Sequence, residues 1–267
     1  MIETEHKILI ELMTKLIFQK RLSDWQFHSF DFCTKMLGHA KSSGLISEQI
    51  YDVSSMLTLV RAQLETYATF YFLFINGDEV ERTLRFNLWK VDGLKERQKF
   101  AIVTDDPKII SDIDNQIKHE KNDIIRLERL ISENTLFKSF PKKIADNIIE
   151  KSKWRFNLTK IKNNEKEWVY SIKEMVWNTT FNKIILKDMY SYYSIHTHAG
   201  NVSILQNQQL TDKDFKLLKN VTLTFSNFII TQMISDYLKL VGLTINENFV
   251  EYKIYDKYLQ MLNIPSR

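Results

Sequence analysis

The stretch Val53-Ser-Ser-Met-Leu-Thr-Leu-Val-Arg-Ala-Gln-Leu-Glu-Thr-Tyr-Ala-Thr-Phe-Tyr71 decides the fold. Val53, Met56, Leu57, Val60, Leu64, Tyr67, Ala68 and Tyr71 recur three and four apart, which places them on one stripe of an α-helix. Just downstream, Phe70-Tyr-Phe-Leu-Phe-Ile75 is apolar all round, so this end of the helix is expected inside a core. The pattern begins near residue 47 and ends at Asn76-Gly77-Asp78. Gly77 is suited to a helix end, and Asp78 can cap the next helix.

The same reading extends in both directions. Helices are expected over about 4–20 and 24–40, with Ser23 and Asp24 as cap residues and a break at Gly44 and Ser47. A helix over about 78–103 follows. Asp105-Asp106-Pro107 then starts another, to about 133, with Pro in the first turn. Pro141 opens a short helix to about 151, and the Lys- and Asn-rich stretch 152–166 reads as a loop. Further helices are expected over about 166–177, 179–199, 211–241 and 246–262. Only 6 Gly and 3 Pro occur in 267 residues, which favours long helices and short connections. The expected fold is all-α, a bundle of about eight to ten helices. It forms a single helical domain over 1–267, with the basic segment 138–166 peripheral to the core.

Composition narrows the class further. Forty-four per cent hydrophobic and 26% charged residues suit a globular chain. Cys33 is the only cysteine, which excludes an internal disulfide and a multi-cysteine zinc site. The acidic start Met1-Ile-Glu-Thr-Glu5 lacks a signal-peptide layout, and the apolar run Tyr67–Ile75 is too short to span a bilayer. A cytoplasmic protein without membrane insertion is expected. The total charge is +4, but Lys138, Lys142, Lys143, Lys151, Lys153, Arg155, Lys160 and Lys162 face only Asp146 and Glu150 within 138–162. That segment therefore carries the basic character of the chain.

Two polar groupings stand out. Arg61 and Glu65 lie four apart and flank the apolar stripe, as an ion-paired couple would on one helix. The second grouping is Tyr190-Ser-Tyr-Tyr-Ser-Ile-His-Thr-His-Ala-Gly200. Taken as a helix, its apolar stripe holds Phe181, Ile184, Ile185, Asp188, Tyr192, Ile195, His196 and Ala199. Asp188, Tyr192 and His196 then form a polar line within that stripe, a structural network. Tyr190, Ser194 and His198 run up the opposite face at the same spacing. Both histidines fall at a helix end, where the dipole favours the charged imidazole. His-x-His points the two rings apart on a helix and no carboxylate cluster completes a ligand set, so neither metal nor cofactor is expected.

The pattern Arg61-Ala-Gln-Leu-Glu65 on an apolar helix, with a distant Tyr190-x-x-x-Ser194-x-x-x-His198, resembles a widespread group of bacterial helical proteins of unknown function. These are often encoded near mobile or defence genes. The resemblance spans roughly 50–205 and implies that Arg61, Glu65, Tyr190, Ser194 and His198 are the characteristic set. That group is similar in turn to the HEPN class of helical toxin and phage-defence domains, which place an Arg and a His a few residues apart in one helix. Here only Arg21-x6-His28 has that spacing, with Ser23-Asp24 between them. A site would instead combine Arg61 and His198 from separate helices.

Two functions are expected from these features. The first is a metal-independent ribonuclease-like enzyme, with His198 as base, Arg61 as phosphate clamp and Glu65 orienting Arg61. Tyr190, Ser194, Lys153, Trp154 and Arg155 would bind substrate, with Trp154 and Phe156 stacking on bases. The second is a non-catalytic sensor, antitoxin-like or structural module whose partner is another protein or a second copy.

Overall fold

The computed structural model describes residues 1–18, 24–49, 52–100, 105–163, 165–197, 211–245 and 250–263, excluding the side chains of 24–26, 49, 188, 196, 197 and 250. Twelve α-helices and no strand occur among these residues, so the fold is all-α. The number exceeds eight to ten because three helices have only four to six residues. The chain divides into two compact units, Met1–Ile75 with Ile172–Arg267, and Asn76–Ser171.

The first unit holds α1 (Ile2–Ile17), α2 (Asp24–Gln49), α3 (Val53–Phe70), α9 (Ile172–Trp177), α10 (Lys183–Thr197), α11 (Asp212–Val241) and α12 (Val250–Leu262). The expected stripe makes α3 the hub, packed against α2, α9, α10 and α11. Met56, Leu57, Val60, Leu64 and Tyr67 are all fully buried. α3 continues as a π turn over Tyr71–Ile75, whose residues Tyr71, Phe72, Leu73 and Phe74 are also buried. Thr211 and Asp214 close a capping box that starts α11, and Gly242 ends it in the left-handed region (φ 65°).

α2 does not break at Gly44 and Ser47 but runs on to Gln49. The hydroxyls of Ser43 and Ser47 donate to Ala40 O and Gly44 O within the helix, so neither acts as a cap. The buried face of α10 is also not the one that apolarity suggested. Leu186, Tyr190 and Tyr193 point inward, whereas Ile184 and Ile195 are 56% and 47% exposed. Tyr193 packs its ring 5.2 Å from that of Phe225. A tyrosine ring carries enough apolar area to serve a core, which a hydrophobicity ranking does not see.

Cys33 on α2 is fully buried, and burial pushes its thiol well above the ordinary value. Only thiolate is nucleophilic, so the native protein should react with a thiol reagent only through opening of the first unit. Labelling should be slow in buffer and reach the free-thiol rate in denaturant. Fast stoichiometric labelling in buffer would contradict this burial.

The second unit holds α4 (Glu79–Arg97), α5 (Pro107–Glu133), α6 (Thr135–Lys138), α7 (Lys142–Lys151) and α8 (Leu158–Lys162). Asp78 and Asp106 accept from Glu81 N and Lys108 N as N-caps, and Pro107 occupies the first turn of α5. α4 ends at Arg97 rather than near 103. The expected helix 166–177 shortens to α9, because residues before it are extended. Phe156 and Val169 form an isolated antiparallel bridge, flanked by Asn157 N to Trp168 O (2.8 Å) and Tyr170 N to Arg155 O (2.7 Å). The segment 138–166 thus contributes more than a peripheral loop. Its cations are exposed or half-exposed, but Ile148, Trp154, Phe156 and Ile161 are buried in the core of this unit.

Candidate functional site

α3 and α10 pack against each other, and four residues singled out in the sequence come together at their contact. Arg61 and Glu65 sit one helical turn apart, with Arg61 Nε donating to Glu65 Oε1 at 2.8 Å. The Arg61 guanidinium carbon lies 5.7 Å from the centre of the Tyr190 ring, within cation–π range. Ser194 Oγ donates to Tyr190 O at 2.8 Å, a bond inside α10 that uses up the hydroxyl proton. Tyr190 is buried, while Arg61 and Glu65 side chains keep 19% and 32% exposure. The couple is therefore neither a free surface pair nor a sealed core pair.

The electrostatics follow from that position. Burial raises the Tyr190 phenol pKa, the Glu65 charge adds to this, and Arg61 and Ser194 oppose it. Tyr190 therefore remains a neutral donor at ordinary pH. Arg61 Nη1 is buried and has no hydrogen-bond acceptor among the described residues. A buried guanidinium nitrogen without an acceptor is uncommon and calls for a ligand, an ion or a water.

A second buried network holds the contact in register. Tyr67, two turns beyond Arg61 towards the α3 end, donates to Asp236 Oδ2 on α11 at 2.8 Å and lies 3.2 Å from Thr180 Oγ1. Gln232 Nε2 donates to Thr180 Oγ1 (3.1 Å) and Asp236 Oδ2 (3.4 Å). Asp236 is 1% exposed and draws Lys239 Nζ to its other oxygen at 3.4 Å. Burial, reinforced by the Asp236 charge, pushes the Tyr67 phenol well above the ordinary range. Thr180 lies three residues before the first residue of α10, so this network ties α3, α11 and the entry to α10 together.

The remaining predicted residues distribute as follows. His198 lies outside the described residues, as do the side chains of Asp188 and His196. Tyr192 is half-buried, its ring tilted against Tyr193 at 6.0 Å. Arg21 is also outside the described residues, and His28 sits 3.5 Å from Asp31. Lys153, Trp154 and Arg155 belong to the second unit. Trp154 is 8% exposed, hydrogen-bonds the Asp92 carboxylate, and has Arg155 stacked over its ring at 5.8 Å. Phe156 is fully buried beneath Arg85, whose guanidinium carbon is 4.9 Å from the ring centre. Neither ring presents a free face, which corrects the expectation that they stack on bases. Lys153 and Arg155 remain half-exposed.

Sequence reasoning passed over Arg85, Asp236 and His6. Arg85 carried a usable signal, since Glu81 precedes it by four residues as Arg61 precedes Glu65. Asp236 and His6 carried none, because their partners are distant in sequence. Among the described residues no cluster of His, Cys, Asp and Glu could hold a metal ion, and no helix is long and apolar enough to cross a membrane. Comparison with protein-family models, with curated proteins and with solved structures returns no match.

Proposed function

We propose that the α3–α10 contact is the phosphate-handling part of a metal-independent ribonuclease-like protein, of the kind found in bacterial defence or toxin systems. One observation carries the reading. A mostly buried arginine, its side chain 19% exposed, is held by Glu65 and by the Tyr190 ring, and one of its guanidinium nitrogens lacks an acceptor among the described residues. Holding the guanidinium in place lets it meet charge as it develops on a phosphate, without reorganisation.

RNA cleavage without metal proceeds by in-line attack of the 2′-oxygen on phosphorus. The P–O5′ bond breaks as the new P–O2′ bond forms, leaving a 2′,3′-cyclic phosphate, and the departing 5′-oxygen takes a proton from water. His198 takes the 2′-hydroxyl proton, and Arg61 stabilises the charge on the non-bridging oxygens. Tyr190, kept neutral by its surroundings, orients the substrate with Ser194. Lys153 and Arg155, with the exposed lysines of 138–162, provide phosphate-attracting charge on the second unit.

The experiment compares RNA degradation and thermal midpoint for the parent, Arg61→Ala, His198→Ala and His196→Ala. Arg61→Ala and His198→Ala should each lose about 100-fold or more in rate with the fold intact. His196→Ala should act on stability, and chelators should leave the parent active. Reversing Lys142 and Lys143 to Glu should weaken RNA retention, more so at low salt. One observation favours a second reading: the Ser194 hydroxyl is already bonded within α10 and Tyr190 is buried, as in a contact that only fixes helix register. A parent that degrades no RNA, with Arg61→Ala changing only the midpoint, would make this a non-catalytic sensor, antitoxin-like or structural module.

A further inference from the structure

α1, α2, α11 and α12 meet around His6, which is 2% exposed. Its Nε2 lies 3.0 Å from Ala40 O on α2, and its Nδ1 lies 2.6 Å from Asn227 Oδ1 on α11. Asn227 Nδ2 lies 2.9 Å from the Tyr258 hydroxyl on α12. That hydroxyl is 2.8 Å from Glu5 Oε2, back on α1, and Glu5 Oε1 accepts from Lys257 Nζ at 2.7 Å. Gly44 lets α2 come this close, since a Cβ there would lie 3.3 Å from the His6 ring.

A carbonyl only accepts, so the contact with Ala40 O requires a proton on Nε2. With the Asn227 amide oxygen facing Nδ1, that nitrogen must also carry a proton. Asn227 then donates to Tyr258, and Tyr258 donates to a Glu5 carboxylate. Turning the amide over lets a neutral His6 accept from Asn227. Tyr258 must then donate to the amide oxygen, so Glu5 must carry a proton in order to donate to Tyr258. Both arrangements hold the same number of protons, one more than a neutral His6 and an ionised Glu5 bring. Remove that proton and one contact always sets acceptor against acceptor, whichever way the amide lies.

We propose that His6, Asn227, Tyr258 and Glu5 form a one-proton switch joining α1, α2, α11 and α12, in which loss of the proton turns the Asn227 amide and passes the mismatch to the Tyr258–Glu5 contact. Protons reach the ring through a pocket of about 370 Å³ between α1 and α2. Glu3, Lys7 and Glu11 on α1 and Lys41 and Glu48 on α2 face that pocket. Lys7 is paired with Glu48 at 2.8 Å, and Lys219 of α11 with Glu3. Lys257 is the charge that α12 brings to Glu5. Burial raises the Glu5 carboxyl, but its bonds to Lys257 and Tyr258 outweigh this and hold it below the usual value, so the proton resides on His6. Burial pulls His6 below its ordinary pKa, against the bonds to Ala40 and Asn227 and the charge of Glu48. A depressed folded value means the neutral-ring fold has its full stability above the unfolded pKa of about 6.5. That stability falls as the pH drops through this value towards the folded one, so the switch operates on the acid side of neutral.

Glu5→Gln provides the decisive test. Its amide can donate to Tyr258, which completes the chain with a neutral His6 and the Asn227 amide turned. Ring-nitrogen shifts of His6 and the Asn227 side-chain amide are followed by NMR on the full chain from about pH 4 to pH 8. In the wild type the Asn227 amide should shift with the His6 titration. In Glu5→Gln the His6 midpoint should fall by about one unit or more, and the Asn227 response should move down in pH with it. Tyr258→Phe frees the amide to turn and should also lower the midpoint. An unchanged His6 midpoint in Glu5→Gln, or an Asn227 amide indifferent to His6 titration in the wild type, overturns the proposal.

Discussion

Arg85→Ala should destabilise the second unit by about 3–5 kcal/mol, the range for removing one partner of a buried ion pair. Arg85 is 2% exposed and is paired with Glu81 one turn earlier in α4. It also donates to Phe156 O and Asn76 O, both at 3.3 Å, and covers the Phe156 ring. One side chain therefore joins α4 to the start of the unit and to the strand-like segment at 155–157. Truncation loses those contacts, opens a cavity, and leaves Glu81 partly buried without its cation. Burial already raises the Glu81 pKa against the pull of Arg85, so Glu81 should take up a proton more readily in the variant. Hydrogen exchange resolved to 76–171 is the measurement, since it separates this unit from the other. The double variant Arg85→Met with Glu81→Leu should recover part of the loss, because it removes both charges together. Unaltered protection across 76–171 in Arg85→Ala would show that the cluster is not what holds this unit.

The second large effect is expected at Asp236. Asp236→Ala should cost about 3 kcal/mol, because it strips the shared acceptor from the buried donors of Tyr67 and Gln232. Tyr67 keeps Thr180 at 3.2 Å, which limits the loss. Asp236→Asn retains one oxygen for Tyr67 and should cost about 1 kcal/mol. The functional consequence is more telling than the stability. Thr180 lies three residues before α10, and the network at Tyr67 lies on the same helix as Arg61. Loosening it should shift Tyr190 relative to Arg61 without touching either residue. Denaturation midpoints together with the RNA assay distinguish these roles. If Asp236→Ala lowers the midpoint while the Arg61–Tyr190 contact and any RNA cleavage stay at parental level, the network holds the core but not the site.

The helix class was legible because it rests on local physics. Caps are bonds between residues two or three apart, so Asp78, Asp106 and the Pro107 turn announce α4 and α5 without reference to the rest of the chain. The stripe from Val53 to Tyr71 likewise identified the most buried helix, since a one-faced or all-round apolar pattern needs a core to bury it. The meeting of Arg61 and Glu65 with Tyr190 and Ser194 was suggested by pattern, and the geometry of that meeting came only from packing α3 on α10.

What local chemistry could not decide was which way ambivalent residues would face. Gly44 looked like a break, yet α2 continues through it, and the missing side chain lets it pass close to His6 on another helix. Ile184 and Ile195 looked like core residues of α10, yet they are exposed, and Tyr190 and Tyr193 point inward instead, Tyr193 packing on Phe225. The two Arg/Glu couples make the same point. Arg61–Glu65 and Glu81–Arg85 share a four-residue spacing, and one stays half-exposed while the other is buried. Spacing along a helix is set by the backbone and can be read from the chain. Burial depends on what packs across, and for Arg85 that is Phe156, seventy-one residues away. Helix class and the capped helix starts at Asp78 and Asp106 therefore belonged to the sequence, and the depth of each polar group was settled only by tertiary packing.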